Sequence, residues 1–290
     1  MVERKKTVRR NSLSSATDAA AIAPHVTCMA RQYKSRVTML HVVEIPAVAD
    51  PVWPAYGTGM DIPAIVETSK QRLDAFLKTE FQDVPTTRLV LEGDPAWRIG
   101  EYAKDEKADL IMTPTHGYGK FRRFLLGSVT AKLLHDLKCP VWTSAHAPEP
   151  PAPPAGYRNI LCAVDLGPSS LPLLRWASEF TRDHNATFRL VHAIPGAETP
   201  HTIDVEGDRF RAFLIDQAGD ELAKLQREAG VAVEVILEGG HVPDVIANAA
   251  RRLHADLVVI GRGIMQHTLG SLRTHVYSII REAPCPVISV

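Results

Sequence analysis

Residues 115–132, "THGYGKFRRFLLGSVTAK", contain the residue types that can bind a phosphate. Gly117 can adopt a positive φ, which lets neighbouring backbone N–H groups turn toward an anion. Ser128 stands where its hydroxyl can either cap a helix over 129–138 or donate to a phosphate. His116 can reach the same anion or, as is more common for a loop histidine, can simply be exposed. These residues predict an anion site at the start of a helix.

A purely structural interpretation of the same loop remains open. Its cations, Lys120, Arg122 and Arg123, can simply be solvated, and Ser128 can be an ordinary helix cap. Pro114, at the entrance of the loop, has no backbone N–H to donate and has a fixed φ.

Composition excludes several classes of partner. The 33 basic and 33 acidic residues balance, so there is no bulk electrostatic reason to expect nucleic acid or an anionic membrane as partner. No run approaches the roughly 20 apolar residues of a membrane span, so we expect a cytoplasmic protein. The four cysteines form no CxxC pair, which predicts no metal site and favours thiols buried in cores.

The chain repeats itself once. "LEGDPAWRIGEYAKDEKADLIMTP" (91–114) corresponds to "LEGGHVPDVIANAARRLHADLVVIG" (237–261), and "KCPVWTS" corresponds to "PCPVISV". The segment between the copies carries five prolines and predicts an extended linker at 147–156, which bounds domains at 1–146 and 157–290.

Each copy alternates short β-rich runs with segments of helical period. This pattern predicts two tandem αβα sandwiches, each with a mainly parallel five-stranded sheet. In the second copy we expect strands at 159–164, 187–193, 231–237, 256–261 and 286–290. A helix over 208–229 has charged residues elsewhere and one largely apolar stripe, formed by Phe210, Phe213, Leu214, Gln217, Leu222 and Leu225. Ligands of such sheets lie beyond the carboxyl ends of the strands.

Four segments resemble the universal stress protein family in tandem form: "LHVVE", "ADLIMTPTHG", "LLGSVTAKLLHDLKCPV" and "ILCAVDLGPSS". The resemblance implies an adenine-nucleotide-binding αβα fold. ATP-binding members share the pattern G-x2-G-x9-G-(S/T), which here reads Pro114, Gly117, Gly127 and Ser128. By the same analogy, the Val42 backbone lies near an adenine edge and Asp165 lies near the nucleoside.

The second copy departs from the pattern after Gly261. Its phosphate loop ends either at Gly270 and Ser271 or, counting back from the last cysteine, at Arg273 and Thr274. The second phosphate loop is therefore degenerate in either alignment.

The first copy departs at its N-terminus. An alignment through His41 and His192 places Arg9 opposite Ile160, and "RRNSL" is too polar for a strand covered on both faces. We therefore expect the first strand to be missing, or short and irregular. For His41 and His192 themselves, at the ends of matching strands, a structural role is favoured over ligand binding.

Three functions remain to be compared. The first is a non-enzymatic stress-response regulator that binds ATP or a related adenine nucleotide through Gly117, Gly127 and Ser128. The second is a nucleotide-free interaction module whose domains pair as an intramolecular pseudo-dimer, with possible homodimerisation, through the strands "PVWTS" and "PVISV". The third is a weak ATPase, which no paired carboxylates, Ser-His-Asp order or Walker A string supports.

Overall fold

The computed structural model describes residues 7–10, 20–44, 61–115, 126–144, 156–195, 197, 205–262 and 272–290. The predicted linker at 147–156 lies outside these residues except for Gly156, so the domain boundaries there stay a prediction. Across the described ranges, no helix is long and apolar enough to cross a membrane. Two compact units divide this part of the chain, the first ending at Cys139 and the second beginning at Pro140.

In the first repeat, strands and helices alternate as the sequence predicts. The elements are β1 (Thr7–Arg10), α1 (Ala23–Tyr33), β2 (Arg36–Val43), α2 (Ile62–Ala75), β3 (Thr86–Glu92), α3 (Pro95–Asp105), β4 (Leu110–Pro114), α4 (Ser128–Asp136) and β5 (Val141–Ser144). Aspartates begin two of the helices, because Asp61 and Asp94 accept hydrogen bonds from the N–H groups of Ala64 and Trp97 at 3.0 and 2.8 Å.

The sheet of the first unit is parallel, with the described order β3-β2-β1-β4. After β1 the chain adds β2 and β3 on one side and then returns to place β4 on the other. This reversal makes the carboxyl ends of β1 and β4 the place where a doubly wound sheet binds its ligands.

The first strand exists, which corrects the alternative that it is missing. Residues Thr7–Arg10 form a short parallel strand between β2 and β4. The predicted alignment is also wrong by one residue, because Val8, not Arg9, takes the place of Ile160. Val8 pairs with Val37 and Leu110, as Ile160 pairs with Phe188 and Leu257. The neighbouring strands set this register, and the gapless alignment could not take them into account.

The second unit contains the whole second repeat. Its further elements are β6 (Asn159–Ala163), α5 (Ser170–Asp183), β7 (Thr187–Ile194), α6 (Val205–Ala229), β8 (Glu234–Gly239), α7 (Val242–Arg252), β9 (Leu257–Ile260), α8 (Leu272–Glu282) and β10 (Val287–Ser289). The parallel order β10-β9-β6-β7-β8 gives the five-stranded αβα arrangement predicted for this copy.

The strand β5 also belongs to the second compact unit, where it pairs antiparallel with β10. Trp142 of β5 is fully buried there, and its indole N–H donates to the Tyr157 hydroxyl at 2.8 Å. Tyr157 in turn packs against Phe180, with ring centroids 6.0 Å apart. The two terminal strands singled out in the sequence as pairing edges therefore pair with each other.

The apolar stripe of α6 differs from the predicted one. Ala218 and Leu222 are buried, with Leu214 packed beside them, whereas Phe210 and Phe213 are 58% and 61% exposed. Helix length explains this, because 25 residues span about 37 Å and the eight-residue strand β7 spans about 26 Å. The helix is therefore longer than the strand, and both exposed phenylalanines lie in its first half.

Candidate functional site

The candidate site of the first unit lies where β4 ends and α4 begins. Pro114 is the last residue of β4, and Gly127 and Ser128 open α4. Val42 is buried in β2, one residue before that strand ends. The structure therefore places these four predicted residues at the carboxyl edge of one unit. His116 and Gly117 lie outside the described residues.

Two hydrogen bonds attach the start of α4 to the end of β4. The Gly127 N–H donates to the Thr115 carbonyl at 3.2 Å, and the Thr130 hydroxyl donates to the Pro114 carbonyl at 3.5 Å. Both threonines are buried. Sequence reasoning missed Thr115 and Thr130, although the sequence shows a β-branched hydroxyl residue at each end of the loop.

Gly127, and not Ser128, is the N-cap of α4, which rules out the alternative in which Ser128 caps the helix. Gly127 has φ −58° and ψ 142°, and no side chain caps the helix. Its carbonyl accepts the first helical hydrogen bond, from Ala131 at 2.9 Å. Ser128 is the first helical residue and is exposed. The bond from Gly127 to Thr115 decides this, because it fixes where the chain enters the helix.

The first turn of α4 leaves backbone donors available. The N–H groups of Ser128, Val129 and Thr130 have no acceptor among the described residues. Such orphan donors at a helix start carry a partial positive charge and are the usual ligands of a phosphate in proteins. These three N–H groups are therefore candidate ligands for an anion.

Neither conformation nor packing requires glycine at position 127. Its φ is one that any residue adopts, and a Cβ built there meets the Thr115 carbonyl oxygen at 3.6 Å and Thr130 Oγ1 at 4.0 Å, which are ordinary contacts. The glycine therefore leaves open a space that nothing in the described chain fills.

A charged pair supports α4 from the neighbouring helix. Lys132 Nζ lies 3.1 Å from Asp94 Oδ2, while the other Asp94 oxygen caps α3. The N–H of Trp97 and then the Lys132 ammonium hold the pKa of Asp94 below its usual range. Sequence reasoning missed this pair, although "DP" before a helical period signals an N-cap.

In the second unit, the Asp165 carboxylate already has a structural role. Its Oδ1 accepts hydrogen bonds from the Gly167 N–H at 3.0 Å and the Ser170 hydroxyl at 2.8 Å. Leu166, which lies between Asp165 and Gly167, has a positive φ of 60°. Asp165 is exposed, and its Oδ2 receives no hydrogen bond from the described residues. One carboxylate oxygen is thus left for a ligand, on a turn held by the other.

The matching histidines occupy equivalent strand positions. His192 Nδ1 lies 2.8 Å from the Val164 carbonyl, so it donates to that backbone oxygen, which confirms the structural role. His41 is half-buried, and burial lowers its pKa, so the imidazole is neutral near pH 7.

The equivalent loop of the second unit is described only at its ends. Gly261 is half-buried and directly follows β9, and 263–271 lie outside the described residues. Because Arg273 and Thr274 lie inside α8, they do not open that helix as Gly127 and Ser128 open α4. The described residues also contain no cluster of side chains that could hold a metal.

Comparison with known proteins identifies the family. The model of the universal stress protein family matches residues 11–144 and again 156–290. Universal stress protein A of Yersinia pestis is 32% identical over 108 residues, which cover 36% of this chain and 73% of that protein.

A solved structure agrees with this fold. The crystal structure of a universal stress protein from Archaeoglobus fulgidus has a TM-score of 0.66 at 19% identity, covering 99% of this chain and 96% of that one. A universal stress protein in complex with cAMP covers 47% of this chain and 97% of its own, at 21% identity and a TM-score of 0.33. With two matches to the family model that together span most of its length, the chain belongs to the universal stress protein family, in tandem form.

Proposed function

We propose that this protein is a cytoplasmic, non-enzymatic stress-response regulator that binds ATP or a related adenine nucleotide at the carboxyl edge of its first unit. The observation that carries the proposal is the uncapped start of α4, where three N–H groups lie beside a glycine that the fold does not require. In the proposed complex these groups hold a phosphate, and the adenosine part extends toward the end of β2.

The energetics indicate what the rest of the site must supply. Three N–H bonds to a phosphate contribute about 1.5 to 3 kcal/mol each, and the helix dipole adds about 0.3 to 1 kcal/mol. Association costs at least about 4 kcal/mol, so the phosphate contacts alone leave about 6 kcal/mol at most and support an affinity of about 40 μM at best. Tighter binding requires contacts to the base and ribose as well.

Substitution of Gly127 tests the proposal directly. A Gly127→Arg side chain occupies the space beside the N–H groups, whereas Gly127→Ala adds one methyl group at ordinary contact distance. We expect Gly127→Arg to abolish ATP binding in calorimetric titration and Gly127→Ala to retain measurable binding. cAMP, the ligand named for one relative, is titrated in parallel. Undiminished ATP binding by folded Gly127→Arg protein would contradict the proposed site.

The second candidate is a nucleotide-free interaction module. Its specific support is the antiparallel pairing of β5 with β10, which shows that these terminal strands form a sheet contact. Mass spectrometry of the small molecules released from denatured purified protein separates the candidates, because retained adenine nucleotide favours the first. Incubation with ATP tests the non-enzymatic assignment, since release of phosphate in large molar excess over the protein would show catalysis.

A further inference from the structure

The first unit contains a second concave site, away from the carboxyl edge described above. A groove of about 550 Å³ runs between α3 and the chain that leaves α4. Its volume lies within the range of about 300 to 1,000 Å³ that small-molecule sites occupy. None of its lining residues is Pro114, Thr115, Gly127 or Ser128, so the groove is separate from the proposed phosphate site.

The floor of the groove is apolar and built from small residues. It is lined by Ala96, Gly100, Ala103, Ala108, Leu137 and Cys139. Gly100 lies inside α3, where glycine destabilises a helix relative to alanine. A Cβ at Gly100 would meet only Leu137 Cδ2, at 3.6 Å, so packing does not demand the glycine. Its effect is to keep the floor of the groove open.

The rim of the groove is positively charged. Lys104, Lys107 and Lys138 line it, are exposed, and make no ion pair with the described residues. Two carboxylates also line the groove. Glu101 lies 3.4 Å from the Arg98 guanidinium, and Asp136 is hydrogen-bonded to His135. The three ammonium groups outnumber these two carboxylates, one of which already has a cation beside it, so the rim can attract an anion.

An exposed aromatic side chain completes the rim. Trp97 is 57% exposed, and the Arg98 guanidinium lies 5.1 Å from its ring centroid. A large apolar ring left in water beside an apolar floor provides a surface on which a flat or aliphatic ligand body can pack.

We propose that this groove binds a small amphipathic anion, with an apolar body against Trp97 and the small-residue floor and a carboxylate or sulfonate at the lysine rim. The lysine rim is complementary to the anionic end of such a molecule, and Trp97 and the small-residue floor are complementary to its apolar end. This site is separate from the proposed nucleotide site.

The test uses anilinonaphthalenesulfonate (ANS), an aromatic sulfonate whose fluorescence rises in an apolar site. We expect saturable binding with one ANS per chain. Gly100→Leu fills the floor with a good helix former, and Lys138→Glu reverses one rim charge. Lys138→Glu should weaken ANS binding about tenfold or more through the loss of a charge-assisted contact, and Gly100→Leu should weaken it by a similar factor because the leucine side chain occupies the floor. Lys70→Glu, on the exposed face of α2, is the matched charge control and should leave the affinity unchanged.

Thiol labelling locates the bound dye independently of these variants. Cys139 lines the groove, whereas Cys28 is a half-buried thiol on α1 outside it. Saturating ANS should slow iodoacetamide labelling of Cys139 severalfold and leave Cys28 unaffected, as measured by peptide mass spectrometry. Equal labelling rates at Cys139 with and without ANS would overturn the proposal. ANS binding that survives Gly100→Leu but disappears in Phe213→Ser would also overturn the proposal, because it would place the dye on the exposed phenylalanines of α6.

Discussion

A carboxylate placed at the first residue of α4 separates the stability of the helix from phosphate binding. Ser128→Asp introduces this charge at an exposed position whose hydroxyl makes no hydrogen bond with the described residues. An acidic residue in the first turn stabilises a helix by about 0.3 to 1 kcal/mol. We therefore expect the unfolding midpoint to rise by about 1 to 4 °C.

The same carboxylate repels a bound phosphate. At about 5 Å, two unit charges repel by about 0.8 kcal/mol in water and about 3 kcal/mol at an effective dielectric constant of 20. Because Ser128 is exposed, the lower half of that range applies, and ATP affinity should fall about five- to thirtyfold. The difference should shrink at high salt, since the charges are screened.

The assay is calorimetric titration with ATP alongside thermal unfolding of the same preparations. Ser128→Asn is the matched control, because it has the same shape without the charge, and its ATP affinity should stay within a few-fold of the wild-type value. A Ser128→Asp protein that melts higher and binds ATP as tightly as the wild type would refute phosphate binding at α4. The proposal would then lose its structural basis even if ATP bound elsewhere.

Three further predictions concern stability. Trp142→Phe leaves the buried Tyr157 hydroxyl without its indole donor and should lower the free energy of unfolding by about 1 to 3 kcal/mol; a double-mutant cycle with Tyr157→Phe should show coupling above about 0.5 kcal/mol. Asp94→Ala removes the cap of α3 and should cost about 1 kcal/mol in urea unfolding at pH 7. Because the pKa of Asp94 is lowered in the folded state, this cost should fade as the pH drops below about 4. Asp94→Asn should retain most of the stability if the cap matters more than the ion pair. Burial lowers the pKa of His25 from 6.5 to about 4, so between these pH values the unfolded chain binds a proton that the folded one does not. The free energy of unfolding should therefore fall by about 3 kcal/mol between pH 6.5 and 4. A His25→Gln protein with the same pH dependence would contradict this.

Local sequence patterns were sufficient to predict those elements whose structure is determined by residues close together in the sequence. The alternation of β-rich and helical segments located the described strands of the second repeat within three residues. The dipeptide "DP" marks the start of α3, because the aspartate cap and the proline both act within one helical turn. Both halves have the same order of strands and helices, and this was enough to indicate tandem αβα units.

The site was predictable in type but not in detail. The sequence identified Gly127 and Ser128 as the start of a helix after a strand, and the structure places them there. It left open whether Ser128 caps the helix, as hydroxyl residues commonly do, or donates to a phosphate. The structure makes Gly127 the cap, and the hydrogen bond from Gly127 to Thr115 joins residues that only the folding of the loop brings together.

The sequence by itself determined the repeat, the αβα class and the position of a helix start beside a strand end, because these depend on periodicity and on residues within a few positions of one another. Only the tertiary structure decided which residue of the first strand pairs with Val37, since that register is chosen by two neighbouring strands at once. It likewise decided that Phe210 and Phe213 are exposed, because burial depends on where the sheet ends and not on the pattern along the helix.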